Sequence, residues 1–306
     1  MIPSSLRKVL AVSYVRQRLE LGDGDFLDLD WSQVGAARVA RVAVICHGLE
    51  GNSQRPYMRG MVRALNRAGW DAVAVNFRGC SGEPNRLAHS YHSGLTVDLR
   101  DVLAAVTDRG YAQVVLVGFS LGGNLILKYL GEDPTGVPPE VLAGVTISVP
   151  LDLADTSRCL VSPRNRIYHA RFMQKLRRTV RLKAQVLPDE VDVVRLNQVH
   201  NIIDFDDQYT APLNGFVDAA DYYARNSARN WLDQIAVPTL VLSAANDPFL
   251  GPRCFPREVA AASPSLCFEE PAWGGHVGFY LPGAQYYSEQ RAVEFAGSVA
   301  RGDGLL

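Results

Sequence analysis

The run Val114-Val115-Leu116-Val117-Gly118-Phe119-Ser120-Leu121-Gly122-Gly123 passes from unbroken apolar residues through G-x-S-x-G into a segment of helical spacing, Leu121 to Leu130, stopped by Gly131 and Pro134. A short apolar run without alternation suits a strand buried on both faces of a parallel sheet. The serine then falls on a tight turn from strand to helix. Glycines flank it because side chains would collide where the two elements approach so closely. Ser120 is expected to point its hydroxyl out at the end of the sheet, above a helix N-terminus that favours developing negative charge. G-x-S-x-G alone is common in Gly/Ser-rich loops; the strand before it and the helix after it make Ser120 the candidate nucleophile.

Outward from this unit the same rhythm repeats. Val42-Ala43-Val44-Ile45, Ala72-Val73-Ala74-Val75, Val145 to Val149 and Thr239 to Leu242 are further apolar runs, and Tyr57 to Ala68 and Leu95 to Thr107 carry helical spacing. Alternating strands and helices predict an α/β fold with a mostly parallel, doubly wound sheet. Near the start, Arg18-Leu19-Glu20-Leu21 and Phe26-Leu27-Asp28-Leu29-Asp30 alternate around Gly22-Asp23-Gly24, a hairpin that adds an antiparallel edge. The rhythm fails from about Asp155 to Leu232, where no buried strand is legible. The expected organisation is therefore one core from residues 1–154 and 233–306, with 155–232 inserted as a helical cap. Strand and helix resume at Val237, and Tyr286 to Arg301 reads as a closing helix.

Composition agrees with a single large domain. Of 306 residues, 47% are hydrophobic and 21% charged, and 31 basic against 32 acidic side chains leave a net charge of -1. That balance offers no global field for nucleic acid and excludes a disordered chain. Five scattered cysteines without a C-x-x-C pair argue for a reducing compartment and against a disulfide framework or structural zinc. No apolar run approaches the roughly 18 residues of a membrane span, and Val9 to Val15 is unlike a signal peptide, so a cytoplasmic protein is expected.

A serine hydroxyl needs a base, and the base needs a third group to hold its tautomer. Among six histidines only His276 follows the last strands and lies in a glycine-bearing loop, Trp273-Gly274-Gly275-His276. For the acid, Asp247 stands just beyond the strand Thr239 to Leu242, at the sheet edge where sites form. Asp152, after the strand ending at Val149, is the rival. The order Ser120, Asp247, His276 matches the Ser…Asp…His order of the G-x-S-x-G hydrolases. For the oxyanion, the backbone N–H of Leu121 is one expected donor. The second is the N–H of Leu49 in His47-Gly48-Leu49-Glu50-Gly51, where Gly48 allows close backbone approach. His47 is expected to brace this loop and Glu50 to be structural.

These residues resemble a family. Asp23 to Trp31, His47 to Gly51, Asn76-Phe77-Arg78-Gly79-Cys80-Ser81-Gly82, Gly118 to Gly123, Phe205-Asp206-Asp207-Gln208-Tyr209-Thr210-Ala211-Pro212, Tyr222-Tyr223, Asn246-Asp247-Pro248 and Gly275-His276 are similar to the YheT/EMB8-type branch of the α/β-hydrolase superfamily, which includes the ABHD1/ABHD3-like proteins. The resemblance spans nearly the whole chain. It implies the α/β-hydrolase fold, a triad of Ser120, Asp247 and His276, and action on carboxylic esters, with some members acting on lipids or transferring acyl groups to alcohols. Eukaryotic relatives often carry an N-terminal membrane anchor; this chain begins almost directly at its first strand, so membrane residence is not expected.

Other features have plainer expectations. Arg78-Gly79 and Asp98 read as a loop brace and a helix-start charge. Phe205 to Pro212 should fix the return of the cap onto the core, with Asp206 or Asp207 as alternatives for the pocket mouth. Eight basic residues from Arg164 to Lys183 meet no acid between Thr156 and Pro188, and Tyr168, Phe172, Leu176 and Val180 recur every four residues. That amphipathic helix is expected to be a solvated cap face packed through its stripe; the alternative is weak contact with a lipid surface. The expected function is a serine carboxylic ester hydrolase acting on a small, lipophilic ester through an acyl-serine, with no cofactor and no metal. An acyltransferase using an alcohol, or a non-catalytic binding protein of the same fold, are the alternatives.

Overall fold

The computed structural model describes residues 7, 9, 12–35, 39–283 and 285–303. Eight strands form one sheet: β1 (Val15–Glu20), β2 (Phe26–Ser32), β3 (Arg41–Cys46), β4 (Asp71–Asn76), β5 (Gln113–Phe119), β6 (Val141–Ile147), β7 (Thr239–Leu242) and β8 (Leu266–Glu269). Their order is β1-β2-β4-β3-β5-β6-β7-β8. β2 alone runs against the rest, pairing antiparallel with both β1 and β4, while β3 to β8 are parallel to one another.

Helices α1 (Pro56–Arg67), α2 (Thr96–Thr107) and α3 (Leu121–Glu132) follow β3, β4 and β5, and the last helix, α8 (Tyr287–Arg301), closes the described chain. Successive strand residues feed opposite faces, as the two-residue period requires. Val42, Val44, Val114 and Leu116 pack against α2 and α3, while Ala43, Ile45, Val115 and Val117 pack against α1 and α8.

The hairpin β1–β2 departs from a sheet edge with one solvated face. Asp28 and Asp30 on β2 are buried, and in register beside them Arg18 and Arg16 of β1 bond them at 3.0 and 2.7 Å. Opposite charges directly across a strand pair let β2 lie inside the sheet with its polar residues in place. β8 was not legible as a strand. It is four residues long, at the sheet edge, and mostly half-buried, so it carries neither a long apolar run nor alternation.

Between β6 and β7 the chain is helical: α4 (Leu153–Val161), α5 (Arg166–Val186), short turns through 193–213, and α6 (Ala219–Asn226). Leu160, Met173, Leu176, Val180, Ile202 and Phe205 form an apolar cluster of their own, closed by Phe249 from the segment after β7. Farther along, Ala228, Leu232 and Ile235 return to the core on the α3 side of the sheet. α7 (Arg257–Ala262) joins β7 to β8. No helix among the described residues is long and apolar enough to cross a membrane.

Candidate active site

Ser120 stands between β5 and α3 at φ 51° and ψ -117°, a conformation that costs an L-residue on the order of 1–3 kcal/mol. The glycines around it have no room for a side chain. A Cβ on Gly118 would lie 2.5 Å from the Gly122 carbonyl oxygen, and one on Gly122 would lie 2.6 Å from that of Cys46. Packing on both sides therefore holds the strained serine in place.

His276 and Asp247 reach the same point from the carboxyl end of the sheet. His276 Nδ1 is 2.8 Å from Asp247 Oδ2, and Nε2 is 2.9 Å from Ser120 Oγ. A carboxylate only accepts, so Nδ1 carries the proton and Nε2 is left to accept from the serine O–H. The second oxygen of Asp247 accepts from Phe249 N–H at 3.0 Å, and its side chain is fully shielded from solvent. Phe249 also lies against the imidazole, ring centres 4.5 Å apart. On the next residue, Val277 N–H donates to Ser148 Oγ at 3.0 Å.

Asp152 goes elsewhere. It caps α4 by accepting from Asp155 N–H at 2.9 Å and pairs with Arg229 and Arg253 at 3.0 and 2.7 Å. Of the two candidate acids, the structure brings only Asp247 to His276.

The loop 47–51 lies on Ser120: a Cβ on Gly48 would sit 3.1 Å from the serine Cβ. Among the described residues neither Leu49 N–H nor Leu121 N–H donates to a protein acceptor, and both residues line one cavity beside the serine. His47 is buried, bonded through Nδ1 to the Gly48 carbonyl at 2.8 Å and through Nε2 to Phe77 N–H at 3.3 Å. Burial pushes this imidazole down to about 4, so it is a neutral brace. Glu50 is a fastener: at φ 53° its N–H donates to Tyr91 Oη at 2.9 Å, Tyr91 O–H donates back to Oε1 at 2.9 Å, and Thr179 of α5 donates to Oε2 at 2.8 Å.

The cavity runs from Leu49 and Leu121 beneath α5, walled by Leu176, Val180, Ile202, Phe205 and Leu213. Asp206 lines it and Asp207 does not; Asp207 accepts from Ala219 N–H at 2.7 Å. Asp206 accepts from Thr210 and Tyr223 hydroxyls at 2.6 Å each, and burial raises its carboxyl to about 6. Arg78 braces the loop after β4 as expected, chelating Asp98 at 2.6 and 2.8 Å and reaching Asp23 at 2.7 Å.

One expectation needs correction. The eight cations of α5 and its approach do not form a single solvated face. Lys183 is buried, Lys175 is half-buried against the Glu50 carbonyl, and Arg177 donates to the Val199 carbonyl at 2.6 Å. Sequence counts charges on a helix but not the loops that lie across it, and those loops supply carbonyl acceptors. Tyr91 and Thr179 were missed as well, because a hydroxyl that serves a distant residue leaves no local pattern.

Among the described residues no group of three or more His, Cys, Asp or Glu could hold a metal ion. A family model described as alpha/beta hydrolase fold matches residues 42–281. Escherichia coli YheT is 37% identical over 283 residues, covering 91% of this chain and 82% of YheT. Phospholipase ABHD3 of Mus musculus is 28% identical, covering 88% of this chain and 67% of its own. Among solved structures, the Pyrococcus furiosus esterase Pf2001 superposes with a TM-score of 0.61 at 16% identity, over 94% of this chain and 92% of that one, a likeness of fold. By the extent of these matches, the chain belongs to the α/β-hydrolase family, in the branch of YheT and the ABHD3-type proteins.

Proposed function

We propose that this protein hydrolyses lipophilic carboxylic esters through an acyl-serine, with residues 155–232 acting as a cap over the acyl chain. The observation that carries the reading is the continuous hydrogen-bonded chain from Asp247 through His276 to Ser120, whose neighbour Leu121 lines a mostly apolar cavity. Ser120 Oγ attacks the ester carbonyl as His276 Nε2 takes its proton, and Asp247 stabilises the imidazolium that forms. The N–H groups of Leu49 and Leu121 hold the oxyanion, each worth about 3 kcal/mol. The imidazolium then protonates the departing alcohol, and a water activated by the same nitrogen releases the acid.

Named activities of relatives support the substrate class. A Saccharomyces cerevisiae protein 29% identical over 257 residues is a monoacylglycerol lipase, and another, 28% identical over 279, is a medium-chain fatty acid ethyl ester synthase/esterase. The second name, together with apolar walls that disfavour water, supports transfer to an alcohol as the rival outcome. A fluorophosphonate should label the wild type and spare Ser120→Ala, and the variant should lose p-nitrophenyl octanoate turnover by about four to six decades. Labelling that persists in the variant removes Ser120 from the mechanism. Ethyl octanoate formed in preference to octanoate when ethanol is added would make the enzyme an acyltransferase.

A further inference from the structure

The cavity beside Ser120 is not apolar throughout. Along α5, Leu176, Thr179, Val180 and Lys183 form one lining stripe at i, i+3, i+4 and i+7. Thr179 is tied to Glu50, the neighbour of Leu49. Lys183 stands one helical turn farther on, about 6 Å along the axis. It is 6% exposed, its ammonium has one acceptor, the His89 carbonyl at 2.8 Å, and it forms no ion pair among the described residues. An ammonium carries three donors, and burying one without acceptors is costly.

Neighbouring groups on this wall are donors too. Ser90 Oγ accepts from Asn214 Nδ2 at 3.1 Å and keeps its own O–H, and His92 Nδ1 accepts from Gly94 N–H at 3.2 Å, which puts the ring proton on Nε2. The two carboxylates of the cavity do not answer them. Each oxygen of Glu50 and of Asp206 already accepts from a tyrosine or threonine hydroxyl. What this end of the cavity lacks is an anion.

Building on the ester-hydrolase reading above, we propose that Lys183 is a specificity-determining residue that binds the far end of the acyl group, and that the favoured substrates are esters whose acyl chain ends in a carboxylate. The carboxylate accepts the spare ammonium N–H groups, with Ser90 and His92 beside it, while the ester carbonyl lies at Leu49 and Leu121. Burial lowers the ammonium to about 8, Asp25 and Glu190 act to raise it and Arg78 to lower it, so it is charged near neutral pH.

The test compares kcat/KM for p-nitrophenyl hemisuberate with that for its methyl-tipped counterpart, p-nitrophenyl octanoate, in the wild type and in Lys183→Met. At pH 7 the acid-to-methyl ratio should fall about tenfold or more in the variant. In the wild type the ratio should fall as pH rises through about 8, and in the variant it should not. An equal ratio in the two proteins overturns the inference and leaves ester hydrolysis standing. Should neither ester be cleaved, calorimetry with suberic acid monoamide and octanamide decides. Tighter binding of the acid-tipped amide to the wild type than to Lys183→Met sustains the anion site although the esterase reading has failed; equal binding, or none, overturns it. Far-ultraviolet circular dichroism and thermal melts of both proteins report that each is folded.

Discussion

Asn246 holds Gly275: its Oδ1 accepts Gly275 N–H at 2.8 Å and, on the same oxygen, Gly274 N–H at 3.0 Å. The residue before Asp247 thus clamps the residue before His276, and the acid and the base are set by one short bridge. Asn246 touches neither the serine nor the cavity lining, which makes it a positioning residue. Asn246→Ala should lower kcat by about 10- to 100-fold with KM within about threefold, and Asn246→Asp, which keeps an acceptor, should recover most of the loss. An equal rise in KM, or no recovery, would mean that the bridge serves stability alone.

Asp247 and Asp152 separate by the same logic. Losing the acid that holds the histidine tautomer can cost about four decades of kcat. Asp247→Asn should approach that loss, measured on p-nitrophenyl octanoate. Asp152→Asn, at the cap of α4 and between two arginines, should stay within about tenfold, its deficit appearing in thermal stability. The opposite ranking would reassign the acid.

Gly122 tests the turn itself. In Gly122→Ala the new methyl would lie 2.6 Å from the Cys46 carbonyl oxygen and 2.7 Å from that of His47. β3 and α3 must then move apart, at a cost of about 2 kcal/mol or more, which at this chain length lowers Tm by at least about 3 °C. Gly22→Ala, with nothing within 4 Å of the added carbon, should change stability by less than about 0.5 kcal/mol. Similar Tm values for the two variants would show that the approach at Gly122 is not tight.

Asp206 should tie stability to pH. Its carboxyl is raised to about 6 in the folded protein from an ordinary 3.8, so between those values the folded state binds the extra proton. Stability from this group is therefore present below pH 4 and lost as pH rises through about 6, on the order of 2–3 kcal/mol in all. His47 and His92, lowered to about 4 and about 3 by burial, act oppositely in that range. The comparison must be with Asp206→Asn. Urea denaturation at pH 4, 5 and 6.5 should show the variant gaining on the wild type as pH rises. A constant difference would dismiss the shift.

The outer face of α5 and its approach retains Arg164, Arg166, Arg171, Arg178 and Arg181, with Ile167 and Val186 exposed among them. Near an anionic bilayer each such charge contributes about 1 kcal/mol, screened over about 8 Å at physiological salt. Vesicles containing anionic lipid should pellet the protein at low salt and release it at high salt, with Arg171→Gln/Arg178→Gln weakening the effect. Equal pelleting on zwitterionic vesicles, or none on either, would leave this face simply solvated.

How far the sequence reaches follows from the range of each interaction. Strand, turn and helix around Ser120 are local: burial on both faces requires an unbroken apolar run, and the close approach of strand to helix requires glycines, so both are written within ten consecutive residues. The same holds for β3, β4 and β7 and for the β1–β2 hairpin. Chain order together with the sheet-edge rule named Ser120 and His276 and favoured Asp247 over Asp152 as the acid, but no local pattern records the contact behind that choice. That choice depends on a bond across 29 positions and another across 156. Only the tertiary structure decided that Asp152 is spent on Arg229 and Arg253, that Asn246 clamps the histidine loop, that Thr179 fastens Glu50, and that Lys183 faces inward. Periodicity records which face of an element is apolar. It does not record which distant carbonyl, carboxylate or hydroxyl the packed fold will set against a polar side chain, and that pairing determines whether the group is a brace, a clamp or a free donor in a cavity.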